Sequence, residues 1–413
     1  MSELLQAARQ IEAQIIEDRR RIHRCPEVGF ELTETATYVQ KRLADMGIES
    51  QICGGPLPLE AQYGFAAAGF PVMRNFIGVT ATIGSGEPCI LLRADMDALP
   101  MMEAEGHVDF ASERPGAAHM CGHDSHTAML LGAARFLSAH RELLPVDVLL
   151  VFQPAEEGPN LGGARVMLAD LQEKGIADRI INFFGLHLFN DYATGKVGVK
   201  YGSMAASTDE FDITILGKGG HAAQPHKCVD ALSVGVQVIN SMESYMSRRM
   251  DPFDQAIFSV GMFHAGTAKN IIAQTAKIAG TIRCQREETR AWIIKDMENI
   301  VKGICAGYGA DCQIDVLRGL PVLINEKEAV DYSAQVAEQI VGKENLMFLQ
   351  NPMMGAEDFA YFAEAIPSSF IWIGSASEEK GLTQQNHQPR FDFDEDALAL
   401  GIRLLTAMAV HIQ

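Results

Sequence analysis

The stretch AAHMCGHDSHTAML, residues 117–130, sets His119, Cys121, His123, Asp124 and His126 side by side and then runs into an apolar helical pattern. Cys121 and His123 are two apart with Gly122 between them, so in an extended or turn conformation both side chains converge on one point. A thiolate and an imidazole are both good ligands for a first-row divalent ion. The same letters also describe a helix N-terminus, with Asp124 or Ser125 as cap and the histidines merely polar. Taken alone, the stretch leaves both readings open.

Further ligand-type residues stand where apolar runs stop. RADMDALP offers Asp95 and Asp97, QPAEEG offers Glu156 and Glu157, GLHLF offers His187, MGAEDF offers Glu357 and QQNHQPRF offers His387. One such cluster arises easily by chance; several in one chain do not. From an extended backbone the adjacent Glu156 and Glu157 point opposite ways, so one would bind metal while the other faces a water. A divalent ion lowers the pKa of a bound water towards roughly 7, and a neighbouring carboxylate can then take its proton. Without partners, an EE pair is equally a solvated acidic loop.

The elements that must position these groups follow one grammar. PCILLRADMDALP and VDVLLVFQPAEEG are buried strands that end in acidic loops, with a helix over 124–141 between them. Strand, helix, strand implies a parallel sheet with helices on its faces, with ligand groups collected at the carboxyl ends of the strands. IINFFGLHLFN is a third strand, expected to end at His187, and SSFIWIGSA is the last. Before them, residues 3–48 read as helix, broken at CPEVGFE, with a second helix near 33–47. From about 205 to 318 the pattern becomes β-α-β-β-α-β, with helices near 228–248 and 287–307, the arrangement of a ferredoxin-like layer. The chain is therefore expected to hold a discontinuous α/β domain, 1–203 and 319–413, with an α+β domain inserted at 204–318.

Composition narrows the partners. A formal charge of −19, from 34 Lys and Arg against 53 Asp and Glu, argues against a surface that tracks nucleic-acid phosphates. No apolar run is long enough to cross a bilayer, and the acid-rich amphipathic start is unlike a signal peptide, so a cytoplasmic location and no membrane partner are expected. Cys25, Cys53, Cys89, Cys228, Cys284, Cys305 and Cys312 lack CxxC spacing and read as small buried apolar residues, Cys121 being the exception.

RADMDALP, MCGHDSHTA, FQPAEEG, GLHL, GKGGHAAQPH, GAEDF and NHQPRFDFDE occur in an order and spacing that resemble the di-metal aminoacylase and carboxypeptidase family. The resemblance is to its branch of hippurate, indole-acetyl-amino-acid and aminobenzoyl-glutamate hydrolases, and it covers nearly the whole chain. It implies two divalent ions per subunit, Mn2+ or Zn2+ with Co2+ admissible, held by Cys121, His123, Glu157, His187 and His387. Glu156 would be the general base and Asp97 would orient a ligand, while His119 and His126 keep supporting roles. The resemblance further implies that His221 reaches the active site of the second subunit of a homodimer, formed through an inserted lid and dimerisation domain. Asn270, Arg283 and His226 would line the substrate, and a guanidinium suits a carboxylate.

The implied reaction is hydrolysis of an N-acyl or N-aroyl amino acid to a carboxylic acid and a free amino acid. A dipeptidase or aminopeptidase on free-amine peptides is the alternative, and a non-catalytic small-molecule binding protein stands behind both. The long apolar segment 53–79 and Met120 depart from the branch, which leaves the acyl group open.

Overall fold

A computed structural model of the chain describes residues 2–59, 62, 72–84, 89–158 and 162–411. Much of the 53–79 segment therefore lies outside the described residues. Contacts between Cα atoms divide the chain into two compact units. The first comprises Met1–Met204, Ile324–Asn351 and Asp358–Gln413; the second comprises Ala205–Leu323 and Pro352–Glu357. The short 352–357 stretch, which the sequence reading leaves with the first domain, thus groups with the second.

The first unit is built on an eight-stranded sheet. Its spatial order is Ser50–Pro56, Asn75–Ile83, Asp147–Gln153, Cys89–Asp95, Ile180–Ala193, Ser368–Ala376, Val197–Val199, Leu346–Phe348. The four central strands, from Asp147–Gln153 to Ser368–Ala376, run parallel, and antiparallel pairings flank them on both sides. Cys89–Asp95 and Asp147–Gln153 are buried at every position. Their unbroken apolar runs are the mark of strands covered on both faces. Ile90, Leu92, Val148 and Leu150 join a core with helices Thr33–Asp45, His123–Ala139, Lys327–Val341 and Asp396–Val410. Helices Gly163–Glu173 and Ala360–Ala365 pack together elsewhere on the sheet, where Phe359 stacks on Phe183 with ring centroids 4.2 Å apart.

Helix His123–Ala139 is buried on nearly every side, as a helix apolar all round must be. It packs between Ser2–Arg24 and Asp396–Val410. Its entry is Gly122, at φ 98, a left-handed conformation that a side chain would strain. The ligand-rich stretch is therefore joined to the most deeply packed helix of the unit through one sharp turn.

The second unit is a four-stranded antiparallel sheet in the order Ala256–Ala265, Thr275–Cys284, Asp209–Leu216, Asp311–Arg318, with helices Ala231–Arg248 and Glu287–Tyr308. That is the ferredoxin-like arrangement, β-α-β-β-α-β in chain order. Asp230 caps the first helix by accepting from the Leu232 amide at 3.1 Å. Cys25, Cys228 and Cys312 are only partly buried, contrary to the reading that grouped them with the core cysteines; they lie in a loop, beside a short 3-10 turn and on a sheet edge. Among the described residues, no helix is long and apolar enough to cross a membrane.

Within the second unit Arg290 and Asp209 form a buried bidentate ion pair, Nε to Oδ2 at 2.8 Å and Nη2 to Oδ1 at 2.6 Å, and Arg290 also donates to the Gly319 carbonyl. Removing one member of such a pair strands the other charge away from water. Arg290→Ala is expected to destabilise this unit by about 3–5 kcal/mol. Urea unfolding followed by proteolytic protection of the 205–323 region checks this, and a loss below measurement error would contradict it.

Candidate metal centre

Parallel pairing brings the ligand-bearing segments together. The register sets Arg93 beside Gly185, so His187, two residues on, stands level with Asp95 at the carboxyl end of its strand. His187 does not terminate its own strand, as the sequence reading expects; that strand continues to Ala193 because it also pairs with Ser368–Ala376. It is the neighbour that stops, which opens the space His187 faces.

The adjacent glutamates also correct an expectation. Ala155 has φ 54, and residues 156–157 form a turn rather than an extended run. Both carboxylates therefore come to one side: Glu156 Oε2 lies 3.9 Å and Glu157 Oε1 4.0 Å from His123 Nε2. Asp97 holds this turn, its two oxygens accepting from the amides of Glu156 at 2.9 Å and Glu157 at 3.0 Å.

Hydrogen bonds choose the imidazole tautomers. His123 Nδ1 donates to the Asp97 carbonyl at 2.9 Å, and His187 Nδ1 donates to the Leu188 carbonyl at 2.8 Å. A carbonyl can only accept, so each neutral ring keeps its Nε2 lone pair for something else. His187 Nε2 points at Cys121 Sγ, 3.4 Å away, and His387 Nε2 lies 3.2 Å from the same sulfur and 3.1 Å from Glu157 Oε1. Among the described residues, His123 Nε2 is a buried atom without a hydrogen-bond partner, while Glu157 Oε1 faces the His387 imidazole. Cys121 with His123 and His187, and Cys121 with Glu157 and His387, each present ligand atoms within 4.8 Å of one another. Cys121 is common to both groups, so the donors fit two neighbouring ions.

The electrostatics agree with that fit. Burial pulls the His123 imidazole down, but Asp95 and Asp97 outweigh it and push it up to about 10. Burial, together with Glu157 and Glu156, lifts the Cys121 thiol well above its usual range. His123 and Cys121 thus hold protons where cations would sit, while burial pulls the His187 imidazole well down, and binding a divalent ion releases the protons that are held.

A supporting layer lies behind the ligands. Arg93, 1% exposed, donates to Asp95 at 2.7 Å, to Gln153 at 3.0 Å and to Asp358 at 2.9 Å. His126 accepts from the Leu188 amide at Nε2, so its Nδ1 carries the proton and donates to Asp95 at 2.6 Å. Burial would raise the Asp95 carboxyl, but His123 and Arg93 hold it well below the usual carboxylate range. Among the described residues, buried His119 has no hydrogen-bond partner on either ring nitrogen, and burial pulls it down to about 3.

The remaining candidate residues belong to the second unit. His221 pairs with Ile271, and the Ala222 amide donates to the Asn270 carbonyl at 3.1 Å, so His221 and Asn270 are neighbours on the surface of their unit. His226 is exposed in a short 3-10 turn, and Arg283 donates to the Met354 carbonyl at 3.2 Å. Glu357 also falls in this unit.

The sequence reading missed Arg19 and His23. Both sit on the stripe of Ile15 and Ile22, and a charged residue at a stripe position was the available signal. Arg19 binds Asp124 at 2.9 Å, Asp392 at 2.7 Å and Glu395 at 3.0 Å, joining the residue after His123 to the segment after His387. His23 binds Asp124 at 2.9 Å and Glu103 at 3.4 Å.

Asp97→Asn leaves one acceptor for two amides and turns an N–H towards the other. Metal affinity is expected to fall about 10- to 100-fold, as for other partners that orient ligands, and competition with a chromophoric chelator measures it. For His23, burial lowers the pKa but Asp124 and Glu103 more than compensate, so the ring titrates above its ordinary value. A group with a pKa raised on folding stabilises fully below its unfolded value of about 6.5, and that contribution fades as pH rises through the folded one. The stability gap between the metal-stripped protein and its His23→Gln variant is thus expected to be wider near about pH 6 than near about pH 9; a gap that widens with pH would contradict it.

Comparison with known proteins meets this geometry. Residues 91–411 match Peptidase family M20/M25/M40. Thermostable carboxypeptidase 2 of Saccharolobus solfataricus is 34% identical over 405 residues, covering 97% of this chain and 96% of the relative. IAA-amino acid hydrolase ILR1-like 4 of Arabidopsis thaliana is 35% identical over 398 residues, covering 95% and 84%. The crystal structure of YxeP of Bacillus subtilis, a dinuclear metal-binding peptidase of the M20 family, superposes with a TM-score of 0.78 at 30% identity, covering 97% of this chain and 98% of that one. With fold, ligand order and full-length likeness in agreement, the chain belongs to peptidase family M20/M25/M40.

Proposed function

We propose that the chain is a metal-dependent amidohydrolase that splits N-acyl or N-aroyl amino acids into a carboxylic acid and a free amino acid. The observation that carries this is the convergence of Cys121, His123, Glu157, His187 and His387, beside a Glu156 carboxylate held by the Asp97-braced turn. Membership of the family and likeness to an IAA-amino acid hydrolase support the reaction class.

Two divalent ions would supply Lewis acidity, polarising the amide carbonyl and acidifying a water. Glu156 accepts the proton of that water as its oxygen adds to the carbonyl carbon, and then delivers the proton to the amide nitrogen as the C–N bond breaks. His221, from a second copy of the chain, donates to the carbonyl oxygen as negative charge builds there. Arg283 receives the amino-acid carboxylate; a guanidinium has five N–H donors, more than its bond to the Met354 carbonyl uses. Asn270 and His226 line the same subsite. The first unit takes the catalytic role and the ferredoxin-like unit the lid and dimerisation role. Manganese and zinc are the favoured ions, since a thiolate with imidazoles suits zinc and the carboxylates admit manganese. A cytoplasmic location is part of the same proposal, and eight free cysteines suit a reducing compartment.

Metal-stripped protein is expected to release a free amino acid from acyl and aroyl amino acids only after manganese or zinc is restored, with mass spectrometry as the readout. Release from free-amine dipeptides alone would move the assignment to a dipeptidase. Glu156→Ala is expected to keep its metal while turnover falls at least about 100-fold, the lower range for general acid-base groups. Undiminished turnover would remove Glu156 from the role of base.

A further inference from the structure

His387 is the ligand-type residue that burial does not place. Its side chain is 54% exposed, whereas those of His123 and Glu157 are 0% and 14% exposed. It also has φ 67, a left-handed conformation uncommon for a residue with a side chain. A strained, solvent-facing histidine needs another source of order if it is to hold an ion.

Two side-chain amides supply it. Asn386 Nδ2 donates to the Cys121 carbonyl at 2.8 Å and to the Leu188 carbonyl at 3.2 Å, so both of its hydrogens reach segments that carry other ligand residues. Asn190, three residues beyond His187 on its strand, makes the converse pair. Its Nδ2 donates to the carbonyls of Gln384 and Asp392, each at 2.8 Å, on either side of His387. Asn190 Oδ1 accepts from Ser375 Oγ at 2.6 Å, which fixes which way the amide faces, and Asn190 is only 7% exposed. The His387 amide completes the set by donating to the Met120 carbonyl at 2.7 Å.

We propose that Asn386 and Asn190 form a reciprocal amide clamp that fixes the His387 loop against the strand of His187 and the turn of Cys121. They are thereby positioning residues for the ion held by Cys121, Glu157 and His387. Asn386 reaches from the loop to the ligand-bearing core, and Asn190 reaches from the core to both arms of the loop. The proposal rests on the two-ion reading given above. It goes further in assigning to this pair chiefly the ion that His387 holds, because His387 is the ligand-type residue carried on the clamped loop, whereas the rings of His123 and His187 are oriented by the carbonyls of Asp97 and Leu188, the latter shared with Asn386.

The test is a Co2+ titration of the metal-stripped, full-length protein and of its Asn386→Ala, Asn190→Ala and doubly substituted variants. Thiolate-to-cobalt absorption from Cys121 and chelator competition follow each binding event. The wild type is expected to take up two ions. Each single variant is expected to keep one binding event and to weaken the other about 10- to 100-fold. The double variant should be little worse than either single one, because the two amides act on the same loop. Asn386 lies on a surface loop, so Asn386→Ala remains informative even if the buried Asn190→Ala fails to fold. A merely structural staple would lower the unfolding midpoint of the stripped variants and leave both affinities unchanged, and that result overturns the clamp. Uniform weakening of both ions overturns its selectivity. Wild-type protein that binds fewer than two ions overturns the two-ion reading itself, and the proposal with it.

Discussion

Negative and potentially negative groups crowded out of water are the constraint on which the first unit depends. Asp95, Asp97, Cys121, Glu156 and Glu157 gather at the ends of two strands, and Asp124 lies directly behind them. Ionised groups this buried persist only when paired or bound to metal. The fold answers with cations of two kinds. Arg93 and Arg19 are permanent and lie behind the ligands, while imidazoles and the proposed ions stand in front. Removing either layer leaves buried carboxylates uncompensated, which ties the packing of the first helix, through Arg19 and Asp124, to the candidate ligand set at the carboxyl ends of the strands.

That arrangement explains why elements remote in sequence are fused around helix His123–Ala139. Its first turn bears Asp124, the shared anchor of Arg19 and His23. Arg19 carries the restraint on to Asp392 and Glu395, beyond the His387 loop. The guanidinium is planar and many-donored, so one side chain can serve three carboxylates at once, which a lysine ammonium on its flexible stem does with less directional control. The N-terminal helix is therefore a structural member of the centre, although it contributes no ligand.

The histidines of the centre differ in what holds them, and that sets their chemistry. His123 and His187 are buried and each is oriented by a backbone carbonyl; His126 bridges an amide and a carboxylate; His387 stands in the open. Order there has to come from directional hydrogen bonds, because packing is not available to supply it.

Much of this was legible in the sequence. Residue type named the candidate ligands, unbroken apolar runs named the buried strands, and a change of pattern near residue 205 named the ferredoxin-like unit. These are local properties, carried by side-chain chemistry and by periods of a few residues. What the sequence could not decide was convergence. Cys121 and His387 are 266 residues apart and meet at 3.2 Å only because strand register and loop anchoring bring them there. The same holds for the level of His187, set by its register against a neighbouring strand, and for the paired glutamates, turned to one side by the left-handed Ala155. Arg19, Asn190 and Asn386 read as ordinary polar letters until their partners are in place. A residue's chemistry is encoded at its own position, whereas its role depends on distances that only the folded chain defines.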